Sequence, residues 1–484
     1  MSAQANDNQP PNILLITTDQ QRWDFYDNRT ADQLRTPALS RLMREGTAMI
    51  GATSNCPVCI PTRFSWCHGL YASQVANSLG ANCHDWPSDL PSMPKALQSA
   101  GYYTALIGKL HSHEGLYHRD LCHPDYIADT HARGFNHVSE VCGKGLAFWF
   151  DCRWTRHLRR RGLLDKYRGD IAFRNGIVKD GKNSLRPGFL SPDDSIDGFI
   201  GREANKWLET YAQEDPFFLH VSFCGPHPPF DPPVEYARRY KAEDMPPPEG
   251  VDDPEKIKKS QRMRALYCAM IEHIDDRMGD LFNCLEERGL MQNTAVFFAT
   301  DHGEMLGHLD MQSKAKPWDT SVRTPYVIRW PGRVQEGVEL DGPVEAVDLP
   351  CTIMDVAGLG GDAGRYLPGS PGRSFLPYAA DGKSQPRSWS YSEFTHGKRA
   401  WRMCREPDWK YVWRPNGDML FNLREDPWEF NNLIDNPDCG DHVSRLRRQL
   451  IESMSETTPP DSIEVDQRND WWLEDHDAKR CQPK

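Results

Sequence analysis

The feature that most constrains this chain is a set of short, unbroken apolar runs, each ended abruptly by polar or charged residues. Asn12–Ile13–Leu14–Leu15–Ile16–Thr17–Thr18 runs straight into Asp19–Gln20–Gln21–Arg22. Tyr103–Ile107, Phe217–Phe223, Ala295–Thr300 and Tyr326–Trp330 are runs of the same kind. Segments too short for helices and apolar at successive positions suit strands buried on both faces, as in parallel sheets. Helical stretches lie between them, at Pro37–Glu45, Pro94–Ala100 and around Ser260–Arg288. Strand alternating with helix predicts an α/β fold with a large, mainly parallel sheet flanked by helices.

Residues 138–195, irregular and rich in aromatic and basic side chains, read as an insertion over one sheet edge. Pro- and Gly-rich stretches fall at Pro226–Pro233, Met245–Gly250 and Gly358–Gly372, and the last is the best candidate for a linker. It divides the chain into a large domain, 1–372, and a small one, 373–484. In the latter, Trp389–Phe394, Ala400–Met403, Lys410–Trp413 and Met419–Asn422 read as short antiparallel strands. A helix near His442–Met454 would complete a small α+β subdomain. The tail from Glu456, with Pro459–Pro460 and Trp471–Trp472, has no predicted structure.

A net charge of -12 argues against a nucleic-acid partner, which needs clustered Lys and Arg. The one basic run, Arg153–Arg161, reads as a solvated helix face. No run approaches the ~20 apolar residues of a membrane span. Met1–Pro11 lacks the pattern of a secretory signal, so a cytoplasmic enzyme is expected and most of the fourteen cysteines should be thiols.

The sharpest local motif is Cys59–Ile60–Pro61–Thr62–Arg63. Alone it could mark a buried cysteine beside a turn proline. Cys56–Pro57–Val58–Cys59 could equally be a redox or zinc half-site, although Cys67 and Cys83 do not supply a second zinc pair. Position adds more. Asp19 and Asp301–His302–Gly303–Glu304 each follow a strand directly, and ligands of open α/β sheets bind at the carboxyl ends of strands. Carboxylates gathered there repel one another unless a cation intervenes, so Asp19, Gln20, Asp301 and His302 are candidate ligands of a divalent metal. Each Asp could also merely cap a helix. Lys109 and His111, His227, and Lys314 follow the other strands or the Asp301 loop. Cations beside a metal suit a tetrahedral anion such as sulfate or phosphate.

These pieces together resemble a type I, formylglycine-dependent sulfatase of the alkaline phosphatase superfamily. The matching stretches are Asp19, Cys59–Arg63, Lys109 with His111, His227, Asp301–His302–Gly303 and Lys314–Pro325. Leu420–Pro427 with Asn432–Leu433 resembles the end of such enzymes. The match runs in the family's order from about residue 12 to 434, and its specificity lies in the set.

The resemblance implies an alkaline-phosphatase-like fold and hydrolysis of sulfate esters, the substrate being a small anionic ester. It implies that Cys59 is oxidised by a formylglycine-generating enzyme and that the hydrated aldehyde is the nucleophile and a metal ligand. Asp301 would take a proton as well as bind metal. Arg63 and Lys109 would hold the nucleophile loop and the anion, and Lys314 and His227 would face the bridging oxygen, with His227 the general acid. His111 would help expel sulfate. Gln20 and His302 depart from the common acidic ligand and Asp-Asn pair. They resemble the branch with phosphonate monoester hydrolases, which leaves calcium or manganese, and phosphonate monoesters or phosphodiesters, open. Thr62 and Cys67–His68–Gly69 are further departures. Trp149 and Trp154 could shape a leaving-group pocket or simply pack a core. A homo-oligomer is expected, with the insertion and tail as contact surfaces.

Overall fold

Alternate residues of the first apolar run point to opposite faces, and each face meets its own core. Leu14 and Ile16 join one, Ile13 and Leu15 the other. Two-sided burial is why the run shows no polar alternation. The computed structural model describes residues 10–26, 33–75, 86–113, 119–174, 185–360, 363–396 and 399–456. Cys83 and the tail beyond 456, both weighed above, lie outside the described residues.

In chain order the elements begin β1 (Asn12–Asp19), α1 (Pro37–Arg44), β2 (Thr47–Met49), β3 (Ala52–Thr53), α2 (Cys59–His68) and α3 (Met93–Ser99). They continue with β4 (Tyr103–Gly108), α4 (Pro124–Ala132), β5 (His137–Glu140), α5 (Arg153–Arg160), α6 (Leu164–Arg174), α7 (Ile196–Thr210) and β6 (Phe217–Pro226). Next come α8 (Val234–Ala237), α9 (Pro254–Glu287), β7 (Thr294–Thr300), α10 (Asp319–Val322), β8 (Tyr326–Arg329), β9 (Val338–Leu340) and β10 (Val344–Glu345). Helices α11 (Asp348–Val356), α12 (Ala363–Tyr366) and α13 (Leu376–Asp381) follow. The last elements are β11 (Ser390–Phe394), β12 (Trp401–Arg405), β13 (Trp409–Trp413), β14 (Met419–Asn422) and α14 (Gly440–Glu456).

The main sheet has the order β5-β4-β6-β1-β7-β8-β2-β9. From β5 to β7 every pairing is parallel, as expected for that class. The run Tyr326–Trp330 departs from expectation, because β8 is antiparallel to both β7 and β2. An apolar run reports burial on two faces and carries no direction, so it could not have been told apart. Leu39, Phe199, Ile274 and Leu281 of α1, α7 and α9 cover one face. Ile60, Phe64, Leu97 and Ile353 of α2, α3 and α11 cover the other.

The 138–195 region is more ordered than its composition suggested. Its start lies in β5, the edge strand, and it carries α5 and α6. Trp154 is fully buried against Tyr167, with its indole N–H donating to the Asp194 carbonyl, whereas Trp149 is exposed. The arginines of α5 face outward and pair locally, Arg156 with Asp120 and Arg159 with Asp151. Within Gly358–Gly372, Leu367 is buried and the Ser370 hydroxyl donates to the Gly69 carbonyl at the end of α2. Strands β11 to β14 form a separate antiparallel sheet, with Leu446 and Leu450 of α14 packed into its core beside Tyr391 and Tyr411. Among the described residues no helix is long and apolar enough to cross a membrane.

Candidate active site and metal centre

The sheet order sets four strand ends side by side: β4, β6, β1 and β7. Lys109 follows β4, His227 follows β6, Asp19 ends β1, and Asp301 follows β7. Two glycines permit the close approach. Gly108 has φ 115 and lies against the Ser222 carbonyl, and Gly303 lies against that of Thr320. A Cβ at either position would collide with that backbone. Cys59 enters from the side as the first residue of α2.

Ligand atoms of Asp19, Cys59, Asp301 and His302, all buried, lie within 4.8 Å of one another. The two aspartates divide their oxygens. Asp19 Oδ2 accepts from Lys109 Nζ at 2.5 Å and Arg63 Nη2 at 3.2 Å, while its Oδ1 faces Cys59 Sγ at 3.7 Å. Asp301 Oδ2 accepts from Arg63 Nε at 2.9 Å, and its Oδ1 lies 3.5 Å from His302 Nε2. His302 Nδ1 donates to the Gly303 carbonyl at 3.0 Å, which turns the Nε2 lone pair toward Cys59 Sγ, 3.3 Å away. Burial is the main influence that brings His302 down to about 4 and keeps it neutral. Gln20 Oε1 is buried without a hydrogen-bond partner. Carboxylates, a neutral imidazole and an orphaned amide oxygen fit a divalent cation. Asp19, Gln20, Asp301 and His302 would hold it together with the side chain at position 59.

The predicted cations reach the same place. Lys314 Nζ is 2.7 Å from Cys59 Sγ. Ser313 and Ala315 on either side of it have φ 68 and 62, and Ala315 N–H is tied to the Pro57 carbonyl. Burial works to raise the Asp19 carboxyl, yet Lys109, His227, Arg63 and Lys314 hold it well below the usual range. Cys59 is lowered although burial and Asp19 push it up, because Lys109, Lys314 and a hydrogen bond with His227 outweigh them. His227 Nδ1 donates to the Pro228 carbonyl at 2.7 Å; burial and then Lys314 lower its pKa. His111 is held well down by burial, Lys109 and Arg63, and its backbone N–H donates to Glu140. Arg63 also donates to the Lys109 carbonyl at 2.6 Å and Ser222 Oγ at 2.8 Å, so its contacts brace the carboxylates and the loop after β4.

Cys56 points elsewhere. It packs with Val58, Val322, Phe394, Trp401 and Met403, on the side of the small sheet, and is not joined to Cys59. Sequence reasoning passed over Ser222 and Glu304. Ser222 carries no signal beyond its place at a strand end, but Glu304 stands in the same Asp-His-Gly-Glu string as Asp301 and was available to be read.

The fold is shared with the phosphonate monoester hydrolase of Agrobacterium radiobacter, at TM-score 0.74 and 22% identity, over 92% of this chain and 96% of that one. At that identity the likeness is one of fold. The chain belongs to the sulfatase family, the sulfuric ester hydrolases of the alkaline phosphatase superfamily, whose profile matches residues 11–359. A second profile, N-sulphoglucosamine sulphohydrolase, C-terminal, matches 307–456. An arylsulfatase of Clostridium perfringens is 27% identical over 92% of this chain and 94% of its own length. The multifunctional alkaline phosphatase superfamily protein PehA of Trinickia caryophylli is 28% identical over 88% and 91%.

Proposed function

We propose that this protein hydrolyses small sulfate esters, with Cys59 matured to formylglycine and one divalent cation, calcium or manganese, at Asp19, Gln20, Asp301 and His302. The observation that carries the reading is the position of the residue 59 side chain. Its Sγ, standing in for a hydroxyl of the hydrated aldehyde, lies between Lys314 Nζ, His302 Nε2 and Asp19 Oδ1. When present, the cation and the hydrated aldehyde supply a nucleophilic hydroxyl at neutral pH.

The chain's own side chains do the rest. Lys109 and Lys314 attract the ester's anionic oxygens in a site that buries them, where charge stabilisation is strongest. The start of α2 adds its partial positive charge at residue 59. Asp301 accepts the nucleophile's proton. His227, its Nδ1 committed to Pro228, has Nε2 for the leaving alcohol. Burial and Lys314 disfavour its protonated form, so arrival of the anionic ester is what charges it. His111 receives the proton released as sulfate departs.

A phosphorus ester is the second reading. Sulfate esters, phosphonate monoesters and phosphodiesters are all tetrahedral monoanions, and the same cations serve each. The neutral side chains of Gln20 and His302 support it, as does the fold shared with the phosphonate monoester hydrolase. Rates on an aryl sulfate, a phosphonate monoester and a phosphodiester, measured on protein co-produced with a formylglycine-generating enzyme, decide. The highest kcat/KM is expected for the aryl sulfate, and a dominant phosphorus activity would replace the first reading by the second.

A further inference from the structure

An amide that ligates a cation must offer its oxygen, yet a glutamine can rotate half a turn and offer nitrogen instead. Gln20 has lost that freedom. Its backbone N–H donates to Asp301 Oδ1 at 2.9 Å and its carbonyl accepts from Tyr267 Oη at 2.5 Å, so only the side chain could turn. Its Nε2 donates to Glu304 Oε2. Reversal would bring the amide oxygen against a carboxylate oxygen, which has no hydrogen to share. The orientation left over is the one in which Gln20 Oε1 is buried and unpartnered.

The other oxygen of Glu304 is occupied as well. Oε1 accepts from the backbone N–H groups of Leu306, at 3.2 Å, and Ser313. Ser313 is the chain neighbour of Lys314 and sits in the left-handed region, at φ 68. Such backbone is strained and persists only when its surroundings impose it. The Ser313 hydrogen bond to Glu304 does so, beside the bond between the Met305 N–H and the Ser313 carbonyl at 3.0 Å.

We infer that Glu304, 3% exposed, is a positioning residue that fixes Gln20 with its oxygen toward the divalent cation and, through Ser313, holds Lys314 over residue 59. The inference rests on the metal reading above. It requires a carboxylate, because both oxygens accept. An amide at position 304 has one accepting end, so either Gln20 Nε2 or the Leu306 and Ser313 N–H groups must face a second donor.

The test is a calorimetric titration of the full-length, chelator-stripped protein with Mn2+. Glu304→Gln should weaken binding about 10- to 100-fold, the usual effect of removing a group that orients a ligand. Exchanging the pair, Gln20→Glu with Glu304→Gln, restores one acceptor to each donor and should recover most of that loss. Gln20→Glu alone sets two carboxylates face to face and should melt at lower temperature than the exchanged pair. Wild-type affinity in Glu304→Gln, or an exchanged pair that binds no better than Glu304→Gln, overturns the inference. If Glu304→Gln does not fold, the exchanged pair decides alone: folding with Mn2+ uptake supports the inference, and failure overturns it. A wild type that takes up no Mn2+ or Ca2+, like its Asp301→Asn variant, overturns the metal reading and this inference with it.

Discussion

Two buried clusters of charge flank the segment that carries Lys314, and they are built on different plans. In the first, Asp19 and Asp301 each give one oxygen to Arg63, and Asp19 also serves Lys109; Asp19 Oδ1 faces Cys59, Asp301 Oδ1 accepts from the backbone N–H groups of Gln20 and His302, and Gln20 Oε1 is left without a partner. In the second, Lys410, fully buried on β13, meets the Pro317 carbonyl at 2.9 Å, Asp319 at 2.8 Å and Glu429. Arg405 closes on both Asp319 oxygens, and the Asp319 N–H donates to Glu429 at 2.6 Å. This second set is balanced and turned inward, and it clamps the small sheet to the chain just beyond Lys314. Acceptors left pointing at a shared space mark a site; charges that satisfy one another mark a joint.

The comparison breaks most violently at Asp301. Asp301→Asn should lower kcat/KM on aryl sulfate by about 10^4-fold with its circular dichroism unchanged, since the proposed proton transfer and ligation both rest on it. Retention of activity within an order of magnitude would erase the distinction. Lys410→Met attacks the joint. It leaves Asp319 and Glu429 buried without their cation and should cost about 3–5 kcal/mol in urea unfolding, while Mn2+ affinity stays near the wild-type value. Loss of Mn2+ binding without loss of stability would make Lys410 part of the site instead.

Acid separates both clusters from the core around them. Burial holds His68, His220 and His273 down at about 3, well below the unfolded value. The folded state therefore binds fewer protons, so this stability is complete above about pH 6.5 and is lost as pH falls toward 3. Each should cost about 2 kcal/mol between pH 6.5 and 5, and His220→Gln should flatten the slope of unfolding free energy against pH in that window. An unchanged slope would mean that His220 is not buried as a neutral ring. The smallest effect belongs to charges in neither plan. Arg153→Ala and Arg160→Ala, on the outer face of α5, should each change stability by under about 0.5 kcal/mol and leave kcat/KM alone.

The open cluster was legible in the sequence and the closed one was not. Asp19, Lys109, His227 and Asp301 sit where apolar runs stop, and the carboxyl ends of parallel strands converge on one edge whatever the details of packing. Nothing local joins Asp319 to Arg405, Lys410 or Glu429, which lie 86 to 110 residues further along the chain, on or just beyond the small sheet. Helix α5 was legible as the solvated face of Arg153–Arg161, whereas α6 fell in a stretch read as irregular. The direction of β8 was hidden because Tyr326–Trp330 reports only that it is buried. Trp154 was read as pocket or core, and its buried indole assigns it to the core.

The central claim is that residue 59 and the open cluster form one metal-assisted nucleophile. A crystal structure of the matured protein grown with Mn2+, with anomalous diffraction at the manganese edge, tests it directly. The account predicts one strong anomalous peak bound by Asp19, Gln20, Asp301 and His302, with an aldehyde or its hydrate at position 59. An unmodified Cys59 thiol with no peak among those side chains would contradict it.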